Sequence, residues 1–276
     1  MIPNLPVLKI LPLECLILHE DHDLQRTLPL IQKMRAQGIL RNPPIVMPLT
    51  DGSSRYMVLD GANRVTSLTE MEFPHIVAQV VRADDPHVNL QTWNHIVWGM
   101  DAKTLVRRIR QIEGLKVVKI DTHKSLDAPK FVPLQVRLPG GKFYLLEEAP
   151  SDLATHIQAL HQIVNAYKTR ASLDRTSQTL VDSFKNIYPD LTALVIFPRF
   201  KISTVLKLAA QNIVLPTGIT RFTVSPRALH LNYPLHELSS GKPIEYKEEY
   251  LKEWIEERLK KKGIRLYTEA TFLFDE

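Results

Sequence analysis

The chain has 276 residues, 44% hydrophobic and 24% charged, with a formal net charge of +5 and one cysteine. That length buries a substantial core, as one domain with extensions or as two small lobes, and the composition is that of a globular protein. The single cysteine, Cys15, excludes an intramolecular disulfide framework and a cysteine-rich zinc site. No apolar run approaches the roughly 18 residues of a membrane span. The first residues carry no basic region ahead of an apolar core, so no secretion signal is expected and a cytoplasmic protein is.

In chain order, Val7–Leu18 is apolar and broken by a proline, a short strand leading into a loop. Leu24–Gln37 places Leu28, Ile31 and Met34 at helical spacing, with Gly38 as its stop. Ile45–Pro48 and Tyr56–Leu59 read as strands joined by a turn at Asp51-Gly52-Ser53-Ser54. A helix over Asn63–Met71, a strand over Ile76–Val81 and a helix over Asp101–Glu113, capped by Asp101, complete an α/β unit.

Asp121–Gly141, with three prolines and little periodicity, reads as a connection between lobes. Beyond it, Ser151 is expected to cap a helix with Ile157, Leu160, Val164 and Tyr167 on one face. Further helices are expected over Thr176–Tyr188, from Ser203, and over Glu248–Lys262, where Leu251, Ile255 and Leu259 align. Thr220–Leu231 reads as extended and Arg265–Phe274 as a terminal strand. The basic runs Arg107-Arg108-Ile109-Arg110 and Lys260-Lys261-Lys262 lie on amphipathic helices and are read as solvated faces. Positive charge serves a nucleotide-gathering enzyme as well as a nucleic-acid binder.

The stretch Tyr56–Leu68 is the most informative. A strand runs into a turn at Asp60-Gly61, and a helix opens near Ala62. The first N–H groups of that helix lack intrahelical partners and, with the positive end of the dipole, suit an anion. Arg64 lies one turn in, where its planar fork suits phosphate oxygens, and the Asp60 carboxylate suits a hard cation such as Mg²⁺. Thr66 and Ser67 offer hydroxyls behind it. An ordinary strand–turn–helix corner with a solvated arginine is the other reading of the same residues. The loop His19-Glu20-Asp21-His22 is read in two ways on its residues alone, as solvated charge or as a histidine pair for a metal.

Asp60-Gly61-Ala62-Asn63-Arg64 resembles the phosphate motif of the ParB/sulfiredoxin-like superfamily. A sulfiredoxin would carry a cysteine where Ala62 stands. A partition protein would carry a Glu-Arg-Arg type turn and a helix-turn-helix DNA reader, neither of which is found. The match is to the free L-serine kinase branch, and it extends to Arg41-Asn42-Pro43-Pro44, Thr92-Trp93-Asn94-His95, Pro216-Thr217-Gly218-Ile219-Thr220-Arg221-Phe222 and Leu266-Tyr267-Thr268-Glu269.

The resemblance implies an α+β fold, with a ParB/sulfiredoxin-like α/β lobe over residues 1–120 and a more helical lobe over 121–276. It implies transfer of the terminal phosphoryl group of ATP or ADP to free L-serine, with Mg²⁺. Glu20 would be the general base, since a serine hydroxyl is a poor nucleophile until a positioned carboxylate accepts its proton. Gly61, Ala62, Asn63 and Arg64, with Thr66 and Ser67, would hold phosphates, and Asp60 the metal. Trp93, Thr220, Arg221 and Phe222 would form the serine pocket. In some relatives a histidine stands where this chain has Phe222. The rival reading is a ParB-like, nucleotide-dependent DNA-binding or regulatory protein that keeps the phosphate turn without the chemistry.

Overall fold

The computed structural model describes residues 5–21, 24–120, 134–141, 143–148 and 152–267. The chain opens with β1 (Leu8–Pro12), a single 3₁₀ turn, β2 (Leu16–Leu18), α1 (Leu24–Gln37), β3 (Ile39–Leu40), β4 (Ile45–Pro48), β5 (Tyr56–Asp60), α2 (Ala62–Glu70) and β6 (His75–Val80). It continues through β7 (Val88–Thr92), β8 (Asn94–Trp98), α3 (Ala102–Arg110), β9 (Leu115–Ile120), β10 (Leu134–Arg137) and β11 (Phe143–Glu148). Then follow α4 (Leu153–Asn165), β12 (Ser172–Thr176), β13 (Leu191–Ile196), α5 (Ile202–Ala210), β14 (Thr220–Val224), β15 (Tyr233–Pro234), α6 (Leu235–Ser239) and α7 (Ile244–Lys260).

Two sheets carry this mixed α/β architecture. The first is five-stranded in the order β1-β6-β4-β5-β2, with parallel β2/β5 and β4/β6 pairs among antiparallel ones. Its middle strands are buried on both faces, so they read as continuous apolar runs rather than alternating ones. Successive residues still part company. Val46 and Val58 pack with Met34 of α1, Val65 and Leu68 of α2, and Leu251 and Trp254 of α7. Met47, Met57 and Leu59 pack on the opposite side, in one cluster with α3, α4 and α5. The second sheet is antiparallel, in the order β12-β8-β13-β10-β11-β9.

A division at residue 120 does not follow these sheets. β8 and β9, which precede it, pair within the second sheet, while α7 near the far end of the chain packs on β1 of the first. The Ile10 N–H donates to Glu248 Oε1 at 2.9 Å, which ties that helix to the edge strand. The first sheet is therefore covered in part by chain that follows the second sheet in sequence.

Several local expectations are corrected. Thr176–Tyr188 is not a helix: Thr176 ends β12, and Val181–Phe184 forms a 3₁₀ turn. Val181 and Phe184 bury together against Ile96, Leu194 and Ile196 on the outer face of the second sheet, a spacing of three that suits a 3₁₀ turn. Asp152, not Ser151, caps α4, its carboxylate accepting from the Thr155 N–H at 2.9 Å. In α1 the buried positions are Thr27, Ile31 and Met34, and Leu28 is 66% exposed. In α7 Trp254 is buried and Leu259 is exposed. Residues 265–267 form no strand, and the remainder of that expected element lies outside the described residues.

α7 also carries a fully buried lysine. Lys247 Nζ donates to the carbonyls of Leu238 at 2.8 Å and Ser240 at 2.6 Å, groups that the short α6 leaves without intrahelical donors at its end. Trp254 lies against Tyr233 and is roofed by Arg258, whose guanidinium carbon sits 3.2 Å from the ring centroid. Trp254→Ala should therefore cost about 3–5 kcal/mol of stability through lost burial and the cavity left behind. Urea unfolding followed by circular dichroism measures this; a loss under about 1 kcal/mol would mean that α7 is dispensable to the first sheet.

Candidate active site

β5 delivers Asp60 and Gly61 to the mouth of α2. Gly61 has φ +96°, a left-handed conformation that glycine adopts without cost. A Cβ there would lie 2.7 Å from Arg64 Nη2 and 2.9 Å from Pro44 Cβ, so the missing side chain also makes room for the guanidinium. α2 has no side-chain cap, and its first intrahelical N–H bond is Val65 to Gly61 at 3.0 Å. The N–H groups of Ala62, Asn63 and Arg64 thus head the helix without intrahelical acceptors.

Asp60 Oδ2 accepts from Arg64 Nη2 at 3.2 Å and, in a shorter contact, from Arg227 Nη2. Burial pushes the Asp60 carboxyl upward, but the two guanidinium charges and their hydrogen bonds outweigh it and hold the group below the usual carboxylate range. Arg227 reaches the turn from far along the chain because Gln79 grips its flanks. The buried Gln79 amide donates to the Pro226 carbonyl at 2.9 Å and accepts from the Ala228 N–H at 2.9 Å. One aspartate with two arginines leaves a local excess of positive charge in front of a helix N-terminus, which suits a phosphate.

The second half of the site is built on Glu20. Its Oε2 accepts from the Gly218 N–H at 2.7 Å, and its Oε1 from the N–H groups of Ile219 at 3.1 Å and Thr220 at 2.6 Å. The Thr220 hydroxyl makes a further short bond to Oε1. Backbone bonds align the two segments: Leu215 N–H to His19 O at 2.8 Å, and Asp21 N–H to Leu215 O at 2.9 Å. Gly218 has φ +75°, and a Cβ there would meet Arg175 Nε at 2.2 Å. The glycine is required both by the turn and by the guanidinium laid over it.

From Thr220 the chain enters β14, paired antiparallel with β7. Side chains alternate along it. Thr220 and Phe222 therefore share one face, where Phe222 meets the His19 ring edge-on at 5.3 Å. Arg221 lies on the other face, its guanidinium 4.4 Å from the centre of the Trp93 ring. The Thr220 hydroxyl is turned inward to Glu20 and His19, while Arg221 is presented on the Trp93 side. Among the described residues no carboxylate is paired with Arg221, so its stacked guanidinium is the group available to an anionic substrate.

Two other expectations change. Ser67 is fully buried behind the turn, its hydroxyl 3.5 Å from the Thr27 carbonyl of α1, and it does not face a phosphate at the helix mouth. Thr66, the residue before it, is half-buried. His19 uses both ring nitrogens, at Val58 O and Thr220 Oγ1, which leaves none for a metal, and His22 lies outside the described residues. No cluster of three or more histidine, cysteine or acidic side chains that could hold a metal ion occurs among the described residues. Gln79 and Arg175 carry no sequence signal of their own, and His19 only that of a charged loop, because their partners lie far along the chain.

His95 closes the floor of this region. Its Nε2–H donates to the Gly218 carbonyl at 2.9 Å and its Nδ1 accepts from the Tyr167 hydroxyl at 2.7 Å. Burial, aided by the charges of Arg175 and Lys168 and opposed by the Gly218 bond, lowers its pKa to about 4. Between pH 6.5 and about 4 the unfolded chain binds a proton that the folded chain refuses. Stability from this group is full above pH 6.5 and falls by up to roughly 3 kcal/mol as pH drops to about 4. Urea unfolding of the wild type and His95→Gln should give a smaller difference between neutral and mildly acid pH for the variant. Equal differences would show that His95 does not carry this dependence.

No family model matches the chain. In sequence it is 24% identical to the ATP-dependent L-serine kinase SbnI of Staphylococcus aureus, over 98% of this chain and 97% of that protein. It is 30% identical over 102 residues to an ATP-dependent L-serine kinase of Staphylothermus marinus, 37% of this chain and 39% of that one. A solved structure of a C-terminally truncated SbnI from S. aureus superposes with a TM-score of 0.74 at 23% identity, covering 91% of this chain and 97% of that one. A mutant free serine kinase in complex with AMP superposes with a TM-score of 0.70 at 15% identity, covering 84% and 94%. Across nearly its whole length, the chain has the fold of the free serine kinases and a sequence similar to one of them.

Proposed function

We propose that the chain is a free L-serine kinase that transfers the terminal phosphoryl group of ATP to the serine hydroxyl, releasing ADP and O-phospho-L-serine. The observation that carries the reading is that one segment, Gly218–Arg227, is hydrogen-bonded at its start to Glu20 and at its end, through Arg227, to Asp60 of the Asp60–Arg64 turn. ATP is preferred to ADP as donor because both sequence relatives are named ATP-dependent.

The N–H groups of Gly61 to Arg64, the Arg64 guanidinium and Arg227 bind the phosphates. Preorganised positive charge there stabilises the charge that spreads over the transferred group. Both arginines use Asp60 Oδ2, and Oδ1 makes no hydrogen bond among the described residues. That one carboxylate oxygen beside phosphates fits Mg²⁺, which binds through one or two carboxylates plus substrate oxygens. The ion would neutralise phosphate charge. Arg221, held flat by Trp93, pairs with the serine carboxylate, a contact worth most where water is excluded.

Glu20 is the general base. Three donors crowd Oε1 but only one reaches Oε2, so Oε2 is the oxygen that receives the serine proton. The serine oxygen forms its bond to phosphorus as the bridging P–O bond to ADP breaks. No apolar helix long enough to cross a membrane occurs among the described residues, and soluble substrates fit a cytoplasmic site of action.

Phosphorus NMR of the protein with Mg²⁺ and L-serine, run in parallel with ATP and with ADP, tests the reaction. An O-phosphoserine resonance is expected with ATP, and silence with both donors, nucleotide binding being intact, would overturn the reading. Glu20→Gln should lower kcat by about 10²–10⁴-fold with nucleotide affinity nearly unchanged. A variant of normal turnover would remove Glu20 from the chemistry.

A further inference from the structure

His19 is 7% exposed and sits one residue before Glu20. Its Nδ1 lies 2.5 Å from the Val58 carbonyl oxygen, its Nε2 lies 2.7 Å from Thr220 Oγ1, and the same hydroxyl is in short contact with Glu20 Oε1. A carbonyl only accepts, so Nδ1 carries a proton whatever the charge of the ring, and Nε2 is the nitrogen that gains or loses one. The hydroxyl has a single proton to share between Nε2 and Oε1.

If Nε2 is protonated, it donates to Oγ1, and the hydroxyl proton must point at Glu20. The carboxylate then has four donors: three backbone N–H groups and the hydroxyl. If Nε2 is bare, it accepts the hydroxyl proton, and Glu20 keeps the three backbone donors alone. A carboxylate with fewer donors is the better proton acceptor. We propose that His19 is a positioning residue for Glu20, setting through the one hydroxyl proton of Thr220 how many donors occupy the carboxylate, and so how readily it accepts the substrate proton. The catalytic half of this inference rests on the kinase reading; the coupling of the three groups does not.

The surroundings make His19 well placed for this role. β5 presents the Val58 carbonyl, and β14 presents the Thr220 hydroxyl and the Phe222 ring. The titratable neighbours are Glu20, through Thr220, and next along the chain Asp21, whose Oδ2 lies 3.4 Å from Nδ1 of His161 on α4. Arg221 occupies the opposite face of β14.

The test is an epistasis experiment. In His19→Leu the hydroxyl has only Glu20 to donate to, and kcat should fall about tenfold while KM for ATP and serine stays put. Adding Thr220→Val removes that donor, so the double variant should recover several-fold in kcat over His19→Leu. A structural role for the His19–Thr220 bond predicts the reverse, with the double variant no better than the single. In parallel, nitrogen-15 NMR of the imidazoles, on protein without substrates, should show a His19 titration that moves in Glu20→Gln and moves less when Thr220 is already Val. No recovery in the double variant, or a His19 titration indifferent to Thr220→Val, would overturn the proposal. If the wild type phosphorylates no serine, the kinase reading fails, and the NMR arm alone decides whether the three groups are coupled.

Discussion

A half-buried carboxylate has to be matched by donors, and among the described residues Glu20 finds its donors on residues 218–220. The N–H of the left-handed Gly218, that of Ile219 after it and a third from Thr220 at the start of a strand converge on it, a nest shaped for an anion. The clamp sets where β14 begins. β14 in turn sets which residues face His19 and which face Trp93, and the loop beyond it carries Arg227 to Asp60. The clamp acts with the backbone bridge at Leu215 and with Leu215 and Ile219, which pack in one apolar cluster with Met57 and Leu59 of the first sheet.

Gln79 has the same part at the other end of the segment. A buried amide that both donates and accepts can hold a strand-like backbone in one register, and it would be costly to bury with either bond missing. Glu20 and Gln79 thus fix the 218–228 segment near its two ends. What lies between is presented to the Asp60–Arg64 turn with little remaining freedom, an arrangement that suits the proposed phosphoryl transfer, which needs positions set in advance.

The charges are arranged on the same principle. Asp60 alone would oppose a nucleotide at the mouth of α2. Paired with Arg64 and Arg227 it becomes a strut that orients both guanidiniums while leaving the local sum positive. Gly61 and Gly218 recur for one reason, the close approach of a guanidinium to backbone, Arg64 at the first and Arg175 at the second. His95 is kept neutral beneath this layer chiefly by its burial, to which the charges of Arg175 and Lys168 add.

Local order alone determined much of this protein. The strand–turn–helix at 56–70, the caps and stops at Gly38 and Asp101, the bounds of α1 and the apolar face of α4 follow from patterns that span one or two turns of chain. The sequence also nominated Glu20, the Asp60–Arg64 turn and the 216–222 run as the groups that carry chemistry. Tertiary structure alone decided the rest. A strand's period does not say which face meets the pocket, so only the β7/β14 pairing showed Thr220 turned inward and Arg221 outward. Only the packing of α1 on α2 buried Ser67, and only the return of α7 to β1 moved the first sheet's boundary to the far end of the chain. His19, Gln79 and Arg175 meet partners 39 to 201 residues away, as His19 does at Val58 and Thr220, and contacts of that span leave no period in the sequence.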